Sequence, residues 1–109
     1  MPNREEDKAR LRRKASQEAI TLAMQSRWEE AVAVNQSIID LFPTDVDAYN
    51  RLGRAYTELG DFVRAKEAYS RALELDPKNS IAQKNYQRLC SLPDLPVRVE
   101  EKRREVAPD

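Results

Sequence analysis

The sequence predicts an all-α chain: two helix hairpins followed by a fifth, closing helix. Three observations carry that expectation. Sliding the chain against itself by 34 residues places Trp28 on Phe62, Ala31 on Ala65, Ile38 on Ala72, Leu41 on Leu75 and Pro43 on Pro77. Within each unit, apolar residues recur at helical spacing in two runs. Short breaks separate the runs, at Gln25 to Arg27 in the first unit and at Gly60 to Asp61 in the second.

Each element then follows in chain order. Asn3 with Glu6 has the form of a capping box and opens a first helix over about Arg4 to Met24. A second helix is expected from about Trp28 to Leu41, stopped by Pro43, after which Thr44 or Asp45 caps a third over Val46 to Leu59. Gly60 suits a left-handed turn at the end of that helix. A fourth helix follows over Phe62 to Leu75 and ends at "DPKN"; Asn79 or Ser80 caps a fifth that reaches about Ser91.

Gly53 is the anomaly in this pattern. The chain has two glycines, and this one falls inside the third helix, where glycine costs about 1 kcal/mol relative to alanine. The repeat offset puts Ala19 at the same place in the first unit. A small residue at that register points to a close crossing of the two helices of each hairpin.

These residues resemble the tetratricopeptide repeat, a 34-residue helix hairpin with a fixed set of aromatic, Leu-Gly, Ala and Pro positions. The second unit matches at Tyr49, Leu52, Gly53, Tyr56, Ala65, Tyr69, Ala72 and Pro77. The first keeps Ala19, Leu22, Trp28, Ala31 and Pro43, but has Ala15, Glu18 and Asn35 where the family prefers aromatic, Leu and aromatic. The resemblance implies a right-handed superhelix: repeat one at 12–45, repeat two at 46–79 and a capping helix at 80–91, in a domain over 1–91. In the capping helix Ile81, Ala82, Tyr86 and Leu89 are expected to face the second hairpin.

The family fold implies a concave groove, lined by the first helix of each hairpin, that holds a peptide segment of a partner protein. Its expected lining here is Arg13, Ser16 and Ile20, then Asp47, Asn50, Arg54 and Thr57, and finally Lys84 and Arg88. Arg54, Lys84 and Arg88 would make a basic end suited to an acidic peptide, because guanidinium groups pair with carboxylates in two-point fashion. Some relatives hold the C-terminal carboxylate of chaperones with lysine, asparagine and arginine on the groove helices. The matching positions here are Ser16, Ile20, Arg51, Ile81 and Asn85, none of which fits, so that partner is not expected.

Other function classes find little support. Histidine is absent, which removes the commonest general base and metal ligand. Both glycines are accounted for, so there is no phosphate-cradling loop, and the adjacent pairs Glu29–Glu30 and Glu100–Glu101 diverge on a helix. A non-enzymatic protein without cofactor or metal is the expectation. Nineteen basic residues balance nineteen acidic ones, leaving no global field to draw in nucleic acid or a membrane.

The run "KARLRRK" is the one local patch that suggests a nucleic-acid adaptor; it lacks interleaved aromatics and follows an acidic stretch. Trp28, Tyr49, Tyr56, Tyr69 and Tyr86 fall on core-facing positions rather than on a stacking platform.

Cys90 is the only cysteine, expected as a buried or half-buried thiol; with no signal-peptide pattern and no long apolar run, a cytoplasmic setting is expected. Two repeats fall short of the ~3 that usually stabilise such a stack. Self-association through Leu11 and Phe42 is therefore an alternative role; the long first helix and the capping helix are the other source of burial. Residues 92–109 are expected to form a charged tail or linker, since Pro93 and Pro96 break the fifth helix and few apolar anchors follow.

Overall fold

In the computed structural model, residues 3–92 are described; the expected tail from Pro93 onward lies outside them. Five helices follow one another, α1 (Arg4–Met24), α2 (Trp28–Leu41), α3 (Val46–Glu58), α4 (Phe62–Leu75) and α5 (Ser80–Cys90). Each packs on the next in series, and α1 also touches α3. This is a helical-repeat stack, in which each hairpin can bury its apolar face only against its neighbours.

Local chemistry sets the helix starts. Asn3 accepts from the backbone N–H of Glu5 and Glu6, Asp45 from that of Ala48, Asp61 from that of Arg64 and Asn79 from that of Ala82. Thus Asp45 and Asn79, rather than Thr44 and Ser80, are the caps. Helix α2 starts differently. Its N-cap Arg27 makes no capping bond; its guanidinium instead grips Glu30 one turn on, with Nε and Nη2 each 2.6 Å from a carboxylate oxygen.

The two hairpin turns are built alike. Ser26 and Gly60, one repeat apart, both have positive φ, 58° and 81°. In the first turn Ser26 N–H donates to Ala23 O and Arg27 N–H to Leu22 O; in the second Gly60 N–H donates to Thr57 O and Asp61 N–H to Tyr56 O. Each is a Schellman motif, which closes a helix with one left-handed residue. The sequence signalled that residue at Gly60 but not at Ser26.

The core is small and rich in alanine. Ala19, Ala31, Ala48, Ala55, Ala65, Ala72 and Ala82 are all within 1% of complete burial, which lets the helices approach closely. Larger side chains fill between them. Ile38, Ile39 and Leu52 join Ala19, Ala48 and Ala68 in one cluster, while Tyr69 and Leu89 join Ala65, Ala72 and Ala82 in the next. Tyr49 and Tyr56 pack against both clusters and so tie the hairpins together.

Gly53 marks a close approach within the second hairpin. A Cβ built on it would lie 2.6 Å from Cε2 of Tyr69, whose ring is 2% exposed. The glycine makes room for an aromatic ring on α4, not for the α4 backbone. Two other expectations are corrected here. Cys90 is exposed, because Tyr86 and Leu89 of α5 turn inward instead. Ile81 is 55% exposed, since one residue further on Ala82 takes the contact with the hairpin.

Candidate functional site

A hollow of about 540 Å³ runs across the stack. It is lined by Ala19, Ile20, Ala23 and Met24 of α1, Ala31 and Asn35 of α2, and Asn50, Arg51, Arg54, Thr57 and Glu58 of α3. Tyr69 of α4 and Ile81, Asn85 and Arg88 of α5 complete it. A second hollow continues beside it, lined among others by Arg12, Arg13, Ser16, Asp45, Asp47, Asp76 and Asn79. Ile20 and Arg51 border both hollows, so the two lie side by side along the stack with these side chains between them, and together they are called the channel below.

Of the nine residues expected from sequence, Ile20, Asn50, Arg54, Thr57 and Arg88 line the first hollow, and Arg13, Ser16, Ile20 and Asp47 the second. Lys84 is exposed but borders neither. Asn50 is in the hollow wall yet only 7% exposed. Its Nδ2 donates to Asn79 Oδ1 at 3.0 Å, and that same oxygen caps α5 through Ala82 N–H at 2.9 Å. Asn50 therefore clamps α3 to the start of α5. Among the described residues its own Oδ1 is buried without a hydrogen-bond partner, an acceptor whose neglect costs about 1–3 kcal/mol until a donor reaches it.

Arg51 is the residue sequence reasoning overlooked. Its Nε donates to Asn35 Oδ1 at 2.9 Å and its Nη2 to Ser16 Oγ at 3.3 Å. Asn35, 1% exposed, completes its own bonding by donating from Nδ2 to Ala31 O at 2.9 Å. Burial lowers the affinity of Arg51 for its proton, while Asp45 and Asp47 pull the other way from a longer range; a guanidinium stays charged throughout. The signal was present in the repeat alignment. Asn35 stands one repeat before Tyr69, and a polar residue at an aromatic core position needs a polar partner.

The other two arginines of the hollow differ in their engagement. Arg54 Nε lies 3.2 Å from a carboxylate oxygen of Glu58, and its guanidinium carbon is 5.4 Å from the Trp28 ring centroid. Arg88 stands in the last turn of α5, where a cation suits the helix dipole. Facing them, Ile20, Met24 and Ile81 form an apolar rim; Met24 is 80% exposed.

The basic run of α1 is partly spent on the protein itself: Arg10 meets Asp7 at 3.4 Å, and Arg12 lies 5.3 Å from the Phe42 ring centroid. Phe42, offered by sequence as a self-association contact, is half-buried, whereas Leu11 is exposed. Among the described residues no cluster of His, Cys, Asp or Glu is arranged to hold a metal, and no helix is long and apolar enough to cross a membrane.

The family described as tetratricopeptide repeat matches residues 46–79. Residues 46–79 are a tetratricopeptide repeat. Over 64 residues it is 38% identical to the Hsp70-Hsp90 organizing protein of Triticum aestivum, a match covering 59% of this chain and 11% of that protein. Over 68 residues it is 37% identical to DnaJ homolog subfamily C member 7 of Homo sapiens and of Mus musculus, covering 62% of this chain and 14% of each. The chain thus spans a small part of these relatives. The tetratricopeptide-repeat assignment supports a protein-interaction module, because such folds present side chains on a shared surface rather than enclosing a reaction site.

Proposed function

We propose that this protein holds a peptide segment of a partner in the channel between α1, α3 and α5, acting as a non-enzymatic scaffold or adaptor. The observation that carries the reading is the composition of the first hollow. Three arginines, Arg51, Arg54 and Arg88, face an apolar rim of Ile20, Met24 and Ile81, with Glu58 as the only acidic lining residue. A channel with cationic floor and apolar edge suits an amphipathic, acidic segment.

The domain limits proposed from the repeat, 12–45, 46–79 and 80–91, give the channel one wall from each unit. The name of the Triticum aestivum relative connects that protein with the organising of Hsp70 and Hsp90, and a role beside proteins of that kind in the cytoplasm is the corresponding proposal for this chain. The C-terminal carboxylate of a chaperone is not the partner proposed. Ser16, Ile20, Arg51, Ile81 and Asn85 differ from the lysine, asparagine and arginine set that would hold it.

The test is a random-sequence peptide display selection on the folded chain, followed by titration of the isotope-labelled protein with the selected peptides. Amide shifts at Ile20, Arg54, Thr57 and Arg88 are expected. Shifts confined to the outer faces of α2 and α4 would overturn the reading.

A further inference from the structure

We propose that Arg51 selects the channel's ligand by seating the side-chain carboxylate of an Asp or Glu within an extended peptide segment. The inference rests on the channel reading above and names what the channel recognises.

Its origin lies in the departure of repeat one from repeat two. Where repeat two carries Tyr69 packed on Gly53, repeat one carries Asn35. The smaller polar side chain leaves the Arg51 guanidinium a hydrogen-bonding seat, occupied through Nε at 2.9 Å, with Ser16 holding Nη2 at 3.3 Å. Two of its nitrogens are thereby fixed, and among the described residues Nη1 has no hydrogen-bond partner. A group fixed in advance loses less side-chain entropy when a ligand arrives.

Charge completes the case. Among the described residues no carboxylate lies at ion-pairing distance from Arg51, whereas Arg54 is paired with Glu58 and laid over Trp28. The Arg51 cation is also partly removed from water, so a carboxylate meeting it is screened less than at an exposed arginine. Asp45, Asp47 and Asp76 line the second hollow and oppose an anion there, so the acidic group belongs on the Arg54 and Arg88 side of Arg51. Because Arg51 sits at the junction of two hollows and not at a blind end, the chain carrying the carboxylate can run on in both directions. That favours an internal side chain over a chain terminus.

The probe is a library of octapeptides, acetylated and amidated at their ends so that every carboxylate is a side chain. Channel-binding members, recognised by amide shifts at Ile20 and Thr57, are expected to carry Asp or Glu. Changing that residue to Asn or Gln should weaken binding roughly 10- to 100-fold, the range for a hydrogen bond to a charged group. In Arg51→Gln the acidic peptide and its amide should bind alike; in Lys84→Gln, at a position that borders neither hollow, the preference should persist.

A folded Arg51→Gln that still prefers the acid overturns the proposal. So do channel-binding peptides without acid preference, or binding that needs an unblocked C-terminus; in these cases the channel reading stands. A library with no channel-binding member overturns both. Should Arg51→Gln fail to fold, the Nε–H resonance of Arg51 in the unaltered chain decides. The acidic peptide must shift it and the amide must not; equal response to both refutes the assignment.

Discussion

A Cβ on Gly53 would stand 2.6 Å from Cε2 and 2.7 Å from Cζ of Tyr69, so the glycine and the ring are a matched pair across the second hairpin. The ring is 2% exposed and packed in a core cluster, which leaves it little room to retreat. Gly53→Ala gains about 1 kcal/mol in helix propensity, yet overpacking typically costs 1–3 kcal/mol. A net loss of about 1 kcal/mol is expected, and more for Gly53→Leu. Urea unfolding of Gly53→Ala, Tyr69→Ala and the double variant checks the pairing: the alanine at 53 should be far less harmful once the ring is gone. Strict additivity of the two changes would refute it.

Ser26 adopts the left-handed conformation that Gly60 adopts one repeat later. For an L-residue with a Cβ that conformation costs about 1–2 kcal/mol, and glycine escapes it. Ser26→Gly should raise stability by about 1 kcal/mol, and Gly60→Ala should lower it by a similar amount, although a Cβ at Gly60 meets nothing within 4 Å. Thermal melts of the two variants measure backbone strain free of side-chain contact. Opposite signs are the expected outcome.

Burial raises the affinity of Tyr69 for its phenolic proton, with Arg54 and Arg88 opposing. The folded state therefore keeps that proton at a pH where the unfolded chain, near an ordinary tyrosine value of about 10, releases it. The contribution is complete below that value and is lost as pH rises through the higher folded one. Denaturant midpoints followed upward from pH about 9 should fall less steeply in Tyr69→Phe than in the parent. Identical alkaline slopes would show that the buried ring does not titrate on unfolding.

Arg88 borders the channel and Lys84, one turn earlier on the same helix, does not. Reversal of Arg88 to Glu should weaken a channel-bound acidic peptide about 10-fold or more, since it replaces attraction by repulsion near the ligand. Lys84→Glu should change affinity only slightly, and more so at low salt than at high salt. Peptide titrations by fluorescence anisotropy at two salt concentrations separate the two positions.

Asn35 supplies the acceptor for Arg51 Nε. Asn35→Leu keeps the branched, four-heavy-atom shape of the side chain but leaves that N–H without its partner in a half-buried site, an expected loss of about 1–3 kcal/mol. The same change in an Arg51→Met background should cost much less. Chemical denaturation of the four chains makes this a double-mutant cycle, with a coupling energy near zero as the contrary result.

How much of this was legible without coordinates depended on the range of the interactions involved. Helix limits came out almost as expected, with α1, α2 and α4 as anticipated, and α3 closing at Glu58 and α5 at Cys90, each one residue early. The reason is that Asn3, Asp45 and Asn79 act on backbone groups two or three residues away, and Pro43 forbids continuation by its own ring. The 34-residue repeat likewise needs only the chain compared with itself. Gly53 was recognised as a close approach by the same comparison, since a residue costly to the helix must be repaid in packing.

What lay beyond the sequence was which neighbour each side chain meets. Asn50, expected as groove lining, is also a buried clamp because Asn79, 29 residues on, offers it an acceptor. Ile81 became a rim residue because Ala82 claims the α5 contact, and Arg51 gained its seat because Asn35 and Ser16 arrive from two other helices. The sequence alone determined that this protein is a stack of helix hairpins with a polar residue set into a core position. Only the tertiary structure decided that this residue positions an arginine at the centre of the channel, because hydrogen bonds between distant residues form only where packing has brought the helices together.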